Sequence, residues 1–252
     1  MEKIWLKSYP PGVPAEIDVN EFRSLGDLFD RSVKRFADKT AYVCMGKAIT
    51  YAELDAASAR FGAFLQRDLG LPKGTRVALM MPNVLQYPIA MFGALRAGYT
   101  IVNVNPLYTA RELEHQLKDS GATAIVIVEN FANTLQQVIA KTAVRHVVVT
   151  PMGEMLGALK GTVVNLVLRH VKKMVPAWQL PGAISFKTAL AAGRQQGFQP
   201  VALVQEDLAF LIGKARQVLR PPRVAGLFEQ LRRAARDLVH RVAHDVAHQA
   251  DE

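Results

Sequence analysis

The sequence has one cysteine in 252 residues, Cys44, which rules out an internal disulfide framework and fits a reducing compartment. Cys44 lies in a strand-like run, AYVCM, where it reads as a core thiol rather than a nucleophile. The opening residues, MEKIWLKSYPPGVP, lack the continuous apolar core that a signal peptide needs, so a cytoplasmic protein is expected. There is no basic face interleaved with aromatics and no nucleic-acid motif, so nucleic acid is not an expected partner.

What is present is globular: 50% of residues are hydrophobic and 21% are charged, in a chain long enough for one large domain or two small ones. The net charge of +9 is unevenly spread. Residues 151–200 hold six Lys/Arg against one acid, and residues 212–252 hold eight against five, so the rest is close to neutral.

The organising stretch is 76–128. Three apolar runs, at 77–81, 100–104 and 124–128, are separated by two helical patterns of about a dozen residues. Buried parallel strands need this arrangement, because each must be followed by a crossover. The expected fold is therefore α/β, a parallel sheet with crossover helices on both faces. Gly98 and Gly121 stand where helix ends call for positive φ. Thr109 and Glu112 have the spacing of a capping box.

Around that stretch, residues 1–23 read as an N-terminal arm, with Pro10, Pro11 and Pro14 opposing early helix. An α/β subdomain is expected over 24–150. It opens with an amphipathic helix from Ser24 that carries Leu25, Leu28, Phe29, Val33 and Phe36 on one face. A hairpin turning at Gly46-Lys47 and a long helix over 51–69 follow. A crossover helix over 134–142 and a fourth parallel strand over 146–150 complete it. His115 and His146 have no partner at ligand spacing and read as structural or surface residues.

Residues 151–200 read as an amphipathic, cationic insertion. Met155, Leu156, Leu159, Val163, Leu166, Val167, Val171 and Met174 recur on one broad helical face, with Asn165, Arg169, Lys172 and Lys173 opposite. Charges and the glycines Gly157 and Gly161 oppose a membrane span. The pattern fits a helix docked on its own domain, and it also fits a helix lying at an anionic membrane surface. In the second case the contact residues would be Lys160, Arg169, Lys172, Lys173 and Trp178, with peripheral location at the inner face of the cell membrane.

Several blocks in order resemble the N-terminal part of the adenylate-forming acyl-CoA synthetases: GKAITYAEL (46–54), RVALMMPN (76–83), AGYTIVNVNPLYTAREL (97–113) and SGATAIVI (120–127). VKKMVPAWQLPGAISFKTAL (171–190) resembles bacterial long-chain fatty acid:CoA ligases in particular, and the resemblance runs from about residue 4 to 211. It implies ATP-dependent activation of a fatty acid to acyl-AMP, then thioester formation with CoA, with ATP, Mg²⁺ and CoA as the full-length family's cofactors. Such chemistry asks for a Gly/Ser/Thr-rich loop on phosphate, a metal ion and a stabilising lysine.

In the family the phosphate loop follows the block matched here by EDLAFL (206–211), where residues 201–211 read as the start of the next strand. After Leu211 this sequence instead reads IGKARQVLRPPRVAGLFEQ, and Gly213-Lys214 alone lacks the glycines and hydroxyls that wrap phosphate. No catalytic, cofactor-binding or metal-binding residue is carried over, and the chain is expected to bind no cofactor and to be inactive alone. The alternative is a non-catalytic membrane-surface or protein-interaction module. Residues 212–252 contain no Ser, Thr, Tyr, Asn, Cys, Met or Trp, a shift in composition expected of a shifted reading frame or a foreign ending. This basic stretch keeps apolar residues at helical spacing. His240, His244 and His248 share its face; two could chelate one metal, but the outer pair lie about 12 Å apart and cannot share one ion, and with no nearby Cys or suitable acid ligand no metal site is expected. If the tail leaves apolar surface uncovered, self-association is expected.

Overall fold

The computed structural model describes residues 4–16 and 18–212. The expectations for 213–252, the tail helix and its histidines among them, lie outside the described residues.

A short 3-10 turn, Ile4–Ser8, precedes helix α1, Leu25–Phe36, which Ser24 caps by accepting from Asp27 N. Strands β1, Thr40–Cys44, and β2, Lys47–Thr50, pair antiparallel. Met45 and Gly46 between them both have positive φ, as the tight two-residue turn of a twisted hairpin demands. Helix α2, Tyr51–Ala63, starts from a capping box of Thr50 and Glu53 and widens into a π turn over Phe64–Asp68. Leu54, Phe61, Phe64 and Leu65 are buried, as their spacing predicts.

The expected βα repeats follow: β3, Arg76–Met80; α3, Gln86–Arg96; β4, Thr100–Asn103; α4, Ala110–Ser120; and β5, Ala124–Val128. The Thr109–Glu112 capping box is formed, and Gly121 closes α4 in the left-handed region at φ 62°. The helix expected over 134–142 is not continuous. Helix α5 covers only Ala132–Gln136, and a separate 3-10 turn covers Ile139–Lys141. The backbone here bonds three residues back, Val138 N to Leu135 O and Lys141 N to Val138 O, which tightens the turn and brings Val138 into the core.

Strand β6, His146–Thr150, falls where periodicity places it. Then come helix α6, Ala158–Leu166, with a π turn over Val167–Val171; the two-residue strand β7, Ile184–Ser185; helix α7, Phe186–Gln196; and β8, Phe210–Ile212.

The main sheet has six parallel strands in the order β7-β6-β5-β3-β4-β8. From β3 the chain steps outward to β4 through α3. It then reverses, crossing to β5 through α4 and on to β6 through α5. Right-handed crossovers in opposite directions must lie on opposite faces. Accordingly Leu113 and Leu117 of α4 and Leu135 of α5 cluster with Ala78, Met80, Val102, Ile125, Ile127, Val147 and Val149. The alternate strand residues Val77, Leu79, Ile101, Val126 and Val148 face the other layer, where α2 packs against α3 and α7.

That second layer is tight. A Cβ on Gly193 of α7 would stand 1.8 Å from Arg60 O of α2, and one on Gly93 of α3 would stand 2.7 Å from Ser58 O. Only glycine allows these backbones so close. Phe186 at the start of α7 is fully buried, its ring 5.1 Å from that of Phe61. Residues 184–196, drawn from the stretch read as a cationic insertion, thus supply an edge strand and a helix of the main sheet.

Candidate functional site at the carboxyl edge of the sheet

In an open parallel sheet the strand ends converge where the direction of winding reverses, and the crevice there is where ligands are bound. Here the reversal falls at β3, between β4 and β5. The carboxyl edge around it is rich in amides and acids.

Asn103 ends β4. Its Oδ1 accepts from Tyr87 OH at 2.9 Å, and its carbonyl accepts from Gln116 Nε2 at 2.8 Å. Gln86, buried in the first turn of α3, donates to Thr150 Oγ1 at 3.0 Å and to Pro151 O at 2.9 Å. Thr150, at the end of β6, donates to Glu154, whose other oxygen accepts from Lys187 N of α7 at 3.2 Å. Burial pushes the Glu154 carboxyl above its ordinary range, partly opposed by the bonds from Thr150 and Lys187 N. Glu129, directly after β5, is only 3% exposed and takes both prongs of the Arg169 guanidinium. That bond holds the Arg169 pKa above its usual value. Asn130 donates to Met174 O at 3.0 Å, leaving its Oδ1 buried without a partner; Gln116 Oε1 is likewise unpartnered.

The network stitches strand ends to helix starts. Both carboxylates, Glu129 buried and Glu154 half-buried, are already engaged, and the two orphan atoms accept hydrogen bonds rather than donate them. The Cys44 thiol donates to Asn83 O at 3.5 Å, and burial raises its pKa, which disfavours the thiolate. Among the described residues no three Cys, His, Asp or Glu side chains stand close enough to share a metal ion.

The five residues read as surface contacts are not brought together. Lys160 donates to Met45 O of the hairpin turn, and Arg169 is held by Glu129. Trp178 packs, half-buried, on the sheet core. Lys172 and Lys173 are both exposed, with Lys173 at φ 50° just past the π turn. The buried side of this segment also differs from the expected one. Gly161 and Leu168 are buried, while Leu159 is 82%, Leu166 52% and Val171 71% exposed. The reason is a close backbone crossing. A Cβ on Gly161 would lie 2.3 Å from Gly153 O, and Asn165, expected outside, accepts from Gly153 N at 2.8 Å. Nothing in the spacing of apolar residues announces that contact. Among the described residues no helix is long and apolar enough to cross a membrane.

A doubly wound parallel sheet with polar residues at its carboxyl edge is a frame that many nucleotide-using enzymes share. A family profile described as AMP-binding enzyme matches residues 29–212, and the chain belongs to that family. It is 57% identical over 211 residues to the long-chain-fatty-acid–CoA ligase of Escherichia coli O6:H1, covering 84% of this chain and 38% of that protein. The Yersinia pestis protein of the same name is 56% identical over 211 residues, with the same coverage. The chain thus spans 38% of the length of these curated relatives. A crystal structure of a long-chain-fatty-acid–CoA ligase from Archaeoglobus fulgidus shares the fold, with TM-score 0.59 at 23% identity over 81% of this chain and 36% of that one.

Proposed function

We propose that this chain is the N-terminal sheet of a long-chain fatty acid:CoA ligase. In the complete enzyme, ATP and Mg²⁺ would drive acyl adenylation and CoA would then take up the acyl group, with a long-chain fatty acid as substrate and the cytoplasm as location. The observation that carries this reading is the 57% identity over 211 residues to a relative of that name. The role of the described residues is to brace the site: Gln86, Thr150 and Glu154 tie strand ends to helix starts. The 252 residues contain no phosphate loop, so a polypeptide of these residues is inactive by itself. Purified chain given ATP, Mg²⁺, palmitate and CoA should release no AMP above buffer. Turnover that persists through further purification would overturn the claim of inactivity.

One observation favours a second reading, contact with an anionic membrane surface. Leu159, Leu166 and Val171 are exposed in the same segment as the exposed Lys172 and Lys173. Cosedimentation with anionic vesicles should weaken with salt and with Lys172→Glu/Lys173→Glu. Binding that ignores both would exclude this segment as the contact.

A further inference from the structure

We propose that the grip of Arg169 on Glu129 is a latch that an anionic lipid surface opens, lifting residues 158–174 off the sheet and into the headgroup layer. The inference rests on the membrane-surface reading above and adds to it a closed state and a trigger. Residues 158–174, helix α6 with its π turn and the three residues after it, form a strap tied down mainly by polar groups. Lys160 donates to Met45 O at the hairpin turn, Arg169 donates twice to Glu129 just beyond β5, and Asn130 donates to Met174 O. Within the strap only Gly161 and Leu168 are buried. Polar ties can pass to other polar partners, whereas a packed core cannot.

The outward side of the strap is apolar. The Gly153–Gly161 crossing leaves Leu159, Leu166 and Val171 in water, where they would gain from an apolar phase. From 158 to 178 the sequence has Lys160, Arg169, Lys172 and Lys173 and no Asp or Glu. An apolar exterior carrying charge of one sign fits an anionic headgroup layer: the charge attracts it, and the acyl boundary takes the apolar side chains.

Arg169 is the tie that such a surface can take over. A lipid phosphate offers a guanidinium the same pair of oxygens as a carboxylate. The Arg169 side chain is half-exposed and that of Glu129 is buried, so lipid reaches the arginine and not the glutamate. The closed state also carries a cost at this place. Asn130, whose amide group holds Met174 O, keeps its Oδ1 buried without a partner. Lifting the strap admits water to that oxygen and rehydrates the carboxylate that loses its arginine. Without lipid the latch stays shut, because parting the pair while Glu129 remains covered leaves a buried charge uncompensated. Lipid thus makes contacts in the open state that it cannot make in the closed one, as a shift of population requires.

The test mixes the full 252-residue chain with vesicles of phosphatidylglycerol in phosphatidylcholine. It reads cosedimentation, and labelling of carboxylates by a water-soluble carbodiimide and an amine. Glu129, shielded in the chain alone, should label about tenfold faster or more on the vesicles, while the exposed Asp119 keeps its rate. Glu129→Asp keeps the charge but shortens the reach to Arg169, and should bind the vesicles about fivefold or more tighter than the parent. Glu129→Gln should do the same and exceed its charge-matched control, Asp119→Asn. Parent chain that binds with Glu129 still shielded overturns the latch and leaves the membrane reading standing. So do Glu129 variants that bind no tighter than the parent. Binding by neither parent nor variants sinks the membrane reading and the latch with it. Inorganic phosphate offers no apolar phase and should leave Glu129 shielded; labelling in phosphate alone would overturn the part given to lipid.

Discussion

Arg169 reaches across forty positions of sequence to clasp Glu129 with two hydrogen bonds, its side chain 47% exposed and the glutamate's 4%. This pair pins the π turn after α6 to the end of β5. Removing the arginine leaves a buried carboxylate without compensation. Arg169→Ala should therefore destabilise the chain by about 2 kcal/mol, below the full cost of breaking a buried pair because water reaches the arginine's side. Glu129→Gln/Arg169→Gln should recover most of the loss in denaturant unfolding. A single variant as stable as the parent would show that the pair contributes nothing.

The crossing of α2 and α7 leaves no room at Gly193. Gly193→Ala should cost about 3 kcal/mol, since its Cβ would overlap Arg60 O and the helices must part. Gly26→Ala in α1 meets only ordinary contacts of 3.5 Å and beyond, and should be neutral or stabilising by about 0.5 kcal/mol. Thermal unfolding of the two variants side by side checks the contrast, and equal effects would refute it.

Glu154 sets a pH dependence whose sign follows from its environment. Burial raises its pKa above the ordinary 4.5, against the pull of Thr150 and Lys187 N, and the nearby Glu129 charge adds to the rise. The folded state therefore holds this proton more tightly than the unfolded chain. The stabilisation is complete below the unfolded value and is lost as pH rises through the raised folded value. Glu154→Gln, which stays neutral, should gain on the parent as pH rises from the ordinary 4.5 through the raised folded value. A stability difference that is flat over that window would contradict the assignment.

The Thr109–Glu112 capping box satisfies the first amides of α4. Thr109→Ala should cost about 1 kcal/mol and speed amide exchange in the first turn of α4 before the rest. Uniform acceleration along the helix would mean that the cap acts only through global stability.

Local patterns were enough for much of this molecule. Strands β3 to β6, the existence of the first hairpin, the Thr109–Glu112 capping box and the αL stop at Gly121 all rest on residues within a few positions of one another, so period and propensity reveal them; the hairpin turns at Met45-Gly46, one residue before the Gly46-Lys47 that the pattern suggested, because Lys47 pairs with Cys44. The family resemblance came from the same stretches. Tertiary structure decided the remainder. Strand β7, two residues long, exists because β6 offers it an edge. The segment around α6 has apolar residues on more than one side, so periodicity could not choose its buried face. The backbone contact of Gly161 with Gly153 chose it, turning Leu159 outward and Arg169 onto Glu129. Such choices are made by groups far apart in sequence that meet only after the sheet has formed, and a window along the chain carries no trace of them.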